Sequence, residues 1–298
     1  MGGHSNWMLA PEYDFLIDAG EGAASSIGIG RLAALRNIFI THPHWDHVAG
    51  LFQVLNLRKR QDLGIPLTIW HPVSQKIDNI RKMVGRGYEW KIADPREKIP
   101  VSKNLFISPF EVKHRKTYAL GFKCFESRTR RRAKFSDCTS EQISSLIQSC
   151  KKEGLPPPVI NEPYEAHIFT YTGDTEPLPA SVLGSPEILM HDATYLQGME
   201  NEAIDKGHSS LGHALSAKKS TAAKILVALH VSPQHRSQLP EIEGVVIPPP
   251  SLSMLKVSVE SGKLLDEKKH DSKKILSRKK TKTLNTRRKP IAPRSPLG

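Results

Sequence analysis

The chain has 298 residues, enough for one large α/β domain, and 38% of them are hydrophobic, enough for a core. No run of about 18 apolar residues occurs, so no membrane span is expected, and no basic region followed by an apolar stretch marks a secretion signal. The net charge of +13 is concentrated: the stretch from Lys263 onward carries 13 Lys and Arg against three acids, while the preceding 262 residues hold 30 basic and 27 acidic groups.

Short β-branched and aromatic runs alternate with helix-like stretches, the pattern of stacked α/β layers. Strands are expected at FLIDA (15–19), NIFIT (37–41), LTIWH (67–71), LFISPFEV (105–112), HIFTYT (167–172), EILMHD (187–192) and KILVALH (224–230). Helices are expected at 48–62, 74–85, 139–153 and 211–223. The third has a capping residue, Thr139, with Glu141 and Gln142 behind it, and is stopped by Pro156, Pro157 and Pro158. Residues 124–166 read as an insert between two strands, a solvated loop with a surface helix, containing the basic run of Arg128, Arg130, Arg131 and Arg132. The main domain therefore spans 1–262. The basic tail, 263–298, has few large apolar residues and several prolines and reads as disordered. Such a tail either attracts nucleic-acid phosphates or serves solubility and localisation. Cys124, Cys138 and Cys150 form no Cys-x-x-Cys pair and read as reduced thiols of a cytoplasmic protein.

The densest chemistry is Thr41-His42-Pro43-His44-Trp45-Asp46-His47, directly after the strand NIFIT. Residues two apart on an extended segment point the same way, so His42 and His44 can grip one ion. Asp46 and His47 sit where the chain turns into a helix and can face a second. Imidazole and carboxylate at this density suit zinc, with manganese as the alternative. Ligand sites collect on one rim of such sheets, so further ligands are sought at other strand ends. His114, Asp174 and His230 stand there, and together with the first motif they make a set of five His and two Asp. Such a set fits two ions about 3.5–4 Å apart.

In these residues the chain resembles the ribonuclease Z branch of the metallo-β-lactamase superfamily. The matching segments are Leu16-Ile17-Asp18-Ala19-Gly20-Glu21-Gly22, the His motif, His114 with Ala119-Leu120-Gly121-Phe122, Thr172-Gly173-Asp174-Thr175, His191-Asp192-Ala193-Thr194, Gly207-His208-Ser209-Ser210 and His230-Val231-Ser232. The resemblance implies an αβ/βα four-layer sandwich, with 1–262 as its catalytic domain. It implies that His42, His44 and His114 hold one zinc, that Asp46, His47 and His230 hold the other, and that Asp174 bridges them. Asp46 would also accept a proton from the attacking water. His208 would contact the scissile phosphate and protonate the leaving oxygen, and Asp192 stands where the family usually has Glu. The family pattern also opens with a strand and a Gly-rich turn ahead of the Leu-Ile-Asp segment, and too few residues precede Leu16 to hold all of it. Its arm for the transfer-RNA elbow should fall in 124–166, where only Gly154-Leu155-Pro156-Pro157 resembles it.

The function implied is zinc-dependent phosphodiester hydrolysis of RNA, with precursor transfer RNA the expected partner, Arg128, Arg130, Arg131 and Arg132 candidate substrate contacts, and a homodimer compatible with the pattern. Two alternatives stay open: a hydrolase of a small phosphodiester such as a cyclic nucleotide, or of another ester, and a nucleic-acid-binding protein that has lost catalysis. His71, His167, His213 and His235 read as surface or supporting groups, and Trp7, Trp45, Trp70 and Trp90 as packing residues.

Overall fold

The computed structural model describes residues 5–61, 63–232, 234, 239, 241–248, 256–257 and 264–265. The strands are β1 (Met8–Ala10), β2 (Phe15–Ile17), β3 (Asn37–Phe39), β4 (Thr68–His71), β5 (Glu89–Ile92), β6 (Ile99–Pro100), β7 (Leu105–His114), β8 (Thr117–Arg131), β9 (Asn161–Tyr171), β10 (Ile188–Asp192), β11 (Ile225–Leu229), β12 (Val245–Val246), β13 (Lys256–Val257) and β14 (Leu264–Leu265). The helices are α1 (Ala23–Ile27), α2 (Ile29–Ala34), α3 (Trp45–Val48), α4 (Leu51–Arg60), α5 (Gln75–Val84), α6 (Ser140–Lys152), α7 (Ala180–Leu183), α8 (Glu200–Asp205) and α9 (Leu211–Thr221).

Period-2 alternation explains how these pieces become layers. In β2, Phe15 and Ile17 face one way and Leu16 the other. Phe15, Ile17 and Phe39 enter a core shared with Leu120, Phe122, Phe169, Tyr171 and Ile225 of the second sheet. Leu16, Ile38 and Ile69 instead pack against Leu32, Leu51, Val54, Leu55 and Ile77 of the helices outside the first sheet. On the far side, Leu189, Leu226 and Ala228 pack against Leu183, Leu211, Ala214 and Ala217 of α7 and α9. The result is the expected helix–sheet–sheet–helix sandwich. Its sheets run β1-β2-β3-β4-β5 and β12-β11-β10-β9-β8-β7-β6. Phe39 sits at the seam, 5.7 Å edge-on from Phe15 and 5.3 Å from Phe122 across the sheets. Phe39→Ala should cost about 3–5 kcal/mol, read as a lower denaturant midpoint at unchanged slope. A loss within about 0.5 kcal/mol, the size of a surface substitution, would mean that the seam does not hold the sheets together.

Four features differ from expectation. Residues 124–131 are the outer half of β8 and residues 161–166 begin β9, so the two ends of the expected loop pair as a hairpin arm. Its register pairs Arg128 with Tyr164 and Arg130 with Glu162, and cross-strand neutralisation lets a basic run form a strand. The 3-10 turn Ala133–Phe135 and α6 form its end, and α6 buries no residue. Met8–Ala10 supplies a short antiparallel edge strand beside β2. Trp45 does not pack: it is 73% exposed. Within the expected disordered tail, Leu264–Leu265 pairs with Lys256–Val257, and the remainder lies outside the described residues. The three cysteines are free thiols. Among the described residues no helix is long and apolar enough to cross a membrane.

Candidate metal centre

The strands that run parallel in each half end on one rim, and residues at or just past those ends build the site. Asp18 follows β2 and His42 follows β3, while His114 is the last residue of β7. Asp174 follows β9, Asp192 ends β10 and His230 follows β11. Two glycines let the loops close over this rim. A Cβ on Gly20 would lie 2.1 Å from the Asp46 carbonyl oxygen, and one on Gly50 would lie 2.1 Å from the Gly20 carbonyl oxygen.

All seven expected ligands come together in two groups that share one carboxylate. His42, His44, His114 and Asp174 form the first, and Asp46, His47, Asp174 and His230 the second, with ligand atoms in each within 4.8 Å of one another. In the first, His44 Nδ1 lies 3.0 Å from His42 Nε2 and 3.2 Å from His114 Nε2. In the second, His47 Nε2 lies 3.3 Å from Asp174 Oδ1, and His230 Nε2 lies 3.1 Å from Asp46 Oδ2 and 3.7 Å from Asp174 Oδ2. Donor atoms around a tetrahedral zinc at 2.0–2.1 Å stand about 3.3 Å apart, so the spacing fits such ions.

The other ring nitrogens explain why these faces converge. His47 Nδ1 lies 2.7 Å from Asp18 Oδ2, His114 Nδ1 lies 2.7 Å from the Gly207 carbonyl and His230 Nδ1 lies 2.9 Å from Thr194 Oγ1. A carboxylate or carbonyl can only accept, so Nδ1 carries a proton in His47 and His114, and each ring is turned with Nε2 toward the cluster. Asp18 is itself held by the Thr41 amide at 2.8 Å and the Thr41 hydroxyl at 2.9 Å. His230 has φ 57°, a left-handed backbone that a non-glycine residue adopts only under constraint.

Charge follows the same division. Burial drives His42 well below the usual imidazole value and lowers His44 and His114 too, which keeps them neutral and able to coordinate. Burial also opposes charge on His47 and His230, but carboxylates more than offset it. Asp174 and Asp18 hold His47 well above its ordinary value, and Asp174 with Asp46 raises His230 to about 9. Burial opposes charge on Asp174, but its three imidazole neighbours hold it well below the carboxylate range.

Beside the clusters, His208 Nδ1 lies 2.8 Å from Asp192 Oδ2, and its ring stacks on His230 with centroids 5.2 Å apart. The Asp192 carboxylate thus reaches His208 despite being one methylene shorter than Glu. Its other oxygen accepts from the Thr194 hydroxyl at 2.6 Å, which fixes it. Four contributors escape a reading of the sequence: Asp18, Thr41, Thr194 and Asn6, whose Nδ2 lies 3.1 Å from both Asp46 Oδ2 and His47 Nε2. Asp18 and Thr194 lie in the matching segments, but nothing in spacing says that a buried carboxylate aims an imidazole.

The basic residues do not join the site. Along β8, Arg128 is eleven residues beyond Thr117, up to roughly 36 Å at about 3.3 Å per residue. Arg128 pairs with Glu126 at 2.6 Å, Arg130 with Glu162 at 2.9 Å, Arg131 donates to the Cys138 carbonyl at 2.6 Å, and Arg132 lies 4.0 Å from Glu162. His71 is buried with Nδ1 2.9 Å from the Pro72 carbonyl. His167 lies 2.9 Å from the Thr170 hydroxyl, His213 completes the capping box of α9 with Ser210, and His235 lies outside the described residues.

Comparison with known proteins places this geometry. Residues 13–144 match the beta-lactamase superfamily domain. The chain is 28% identical over 257 residues to ribonuclease Z of Halobacterium salinarum, covering 77% of this chain and 81% of that protein. It is 24% identical over 242 residues to ribonuclease Z of Archaeoglobus fulgidus, covering 74% and 78%. Its fold matches the crystal structure of the short form of human tRNase Z with a TM-score of 0.54 and 19% identity, over 82% of this chain and 93% of that one. The helix–sheet–sheet–helix sandwich is thus the metallo-β-lactamase fold, and residues 13–144 carry the match to the superfamily domain. Within that superfamily it resembles the ribonuclease Z branch.

Proposed function

We propose that the chain is a metal-dependent phosphodiesterase of the ribonuclease Z type, an endoribonuclease acting on the 3′ ends of precursor transfer RNA. The observation that carries this reading is the meeting of two ligand clusters at one buried carboxylate, Asp174, with the His208–Asp192 pair alongside. A thioester departs as a stable thiolate and needs no proton donor in that place, whereas a phosphodiester with a poor leaving oxygen does.

His42, His44, His114 and Asp174 would hold one zinc, and Asp46, His47, His230 and the same Asp174 the second. When bound, such ions lower the pKa of water and offset charge developing on phosphate. The remaining steps belong to the protein. Asp46, the most exposed carboxylate of the clusters, accepts a proton from the attacking water. Asp192 accepts from His208 Nδ1, which fixes the ring so that Nε2 can donate a proton to the departing oxygen. A hollow of about 500 Å³ beside His114, lined in part by Arg115, Lys116, Thr117 and Tyr118, gives the phosphate backbone a basic approach. The hairpin arm falls in the stretch, 124–166, where the resemblance would put a transfer-RNA contact, and its arginines suit a long polyanion rather than a small diester.

The test is to incubate zinc-loaded protein with a 3′-extended transfer-RNA precursor and with a bis-aryl phosphodiester. Cleavage of the precursor supports the reading. Cleavage of the small diester alone would leave a small-molecule phosphodiesterase, and binding of RNA without cleavage would leave a protein that has lost catalysis.

The tail adds a separable expectation. Deleting residues from Lys263 onward should weaken RNA binding mainly at low salt and flatten its salt dependence, because 13 basic groups go with it. Turnover of a small diester should be unchanged, since every proposed ligand lies before Lys263. Equal RNA affinity and salt slope in the full and shortened chains would give the tail another purpose.

A further inference from the structure

One side chain beside the clusters breaks the burial pattern. Trp7 and Trp90 pack on the helix-side core of the first sheet. Trp70 stacks on Phe39 at 6.4 Å and donates to Asn37 Oδ1 at 3.0 Å. Trp45 joins none of these clusters and is 73% exposed. Isolated exposed apolar residues are common and by themselves mean little. The place of this one is what matters.

Trp45 stands between His44 and Asp46, which enter the first and second ligand clusters respectively. It opens α3 directly after an extended His44, φ −77° and ψ 148°. In extended backbone successive side chains leave on opposite sides. His44 turns inward to His42 and His114, so the next side chain turns out to water, on the lip of the site. An indole there offers a broad, rigid π face that gains only when another flat group covers it. A phosphate held at the clusters carries its nucleobase within one nucleotide of that lip, and base–aromatic stacking tolerates any base because every base has a π face.

We propose that Trp45 is a stacking platform for an unpaired nucleobase next to the scissile phosphate. The inference rests on the phosphodiesterase reading and deepens it: the substrate at the site is single-stranded nucleic acid, and Trp45 helps to select which phosphate enters without reading sequence. A contact of this kind separates a nucleic-acid strand from a small diester that has no base.

The test is equilibrium binding of a short hydrolysis-resistant phosphorothioate oligonucleotide and of its abasic counterpart to zinc-loaded full chain, with metal content and thermal melting as controls for folding. The unchanged protein should bind the base-bearing strand about tenfold more tightly than the abasic one, with quenching of tryptophan fluorescence. Trp45→Ala should bring that ratio close to one, and Trp45→Phe should keep part of it. Equal binding of both strands by the unchanged protein would overturn the inference. So would an undiminished ratio in Trp45→Ala. A changed oligomeric state in Trp45→Ala with the base preference intact would make Trp45 a protein contact and overturn it too. Binding is read without turnover, so failure of hydrolysis with base preference intact would count against the proposed function alone.

Discussion

Asp174→Ala is expected to disable both ligand clusters at once. Its two oxygens lie 3.3 Å from His47 Nε2, 3.7 Å from His230 Nε2 and 3.9 Å from His42 Nε2, so each proposed ion loses a ligand and the pair loses its bridge. The imidazoles of the second cluster also lose a main source of their raised pKa, because Asp174 is the largest contributor lifting both His47 and His230. Zinc content should fall from two ions per chain to below one, and turnover of any phosphodiester should drop by at least about 10³-fold. The cost should not be confined to chemistry, since buried imidazoles left without their carboxylate are uncompensated polar groups. Elemental analysis beside rates on a bis-aryl phosphodiester checks it. Two retained zincs would show that Asp174 does not bridge.

His208→Ala should separate metal binding from chemistry. The two clusters that share Asp174 offer seven candidate ligands without His208, which instead groups with Asp192, at 2.8 Å, and His230. Its neighbours His114 and His230 keep their own anchors in the Gly207 carbonyl and the Thr194 hydroxyl, so their rings should hold position. Both zincs should therefore stay. Turnover of RNA, with its poor leaving oxygen, should fall about 10²–10⁴-fold, the range of a lost general acid. A nitrophenolate departs without a proton, so a nitrophenyl diester should suffer far less. His44→Ala is the contrast, since it removes a ligand and should cost zinc as well. If His208→Ala strips zinc, or slows good and poor leaving groups equally, the proton-donor role is wrong.

The parts of this protein legible in its sequence are those set by local pattern. Alternating Phe15, Leu16 and Ile17 announces a strand packed on both faces. Thr139 and Gln142 announce a helix start, and the structure has the full capping box there. The candidate ligands are legible because His and Asp at the ends of apolar strands have few other reasons to be there. What escapes depends on contacts far apart in the chain. Arg128, Arg130, Arg131 and Arg132 read as a solvated loop because nothing local reveals that residues 161–164 lie opposite them in the sheet. Asp18 reaches His47 from 29 residues away, and Thr194 reaches His230 from 36. Residue type alone assigns Trp45 to packing, and only the direction of the preceding His44 shows that it cannot pack. The short β1 and the paired ends of β8 and β9 likewise owe their form to a partner strand rather than to their own residues.

The most direct test of the central claim is to map the products when zinc-loaded protein meets a transfer-RNA precursor carrying a 3′ extension, with Asp174→Ala as the paired control. The account predicts one internal cut that releases the extension as an intact fragment, made by the unchanged protein and lost in Asp174→Ala. An intact precursor after incubation with protein shown to hold two zincs would contradict it, as would cleavage that persists undiminished in Asp174→Ala.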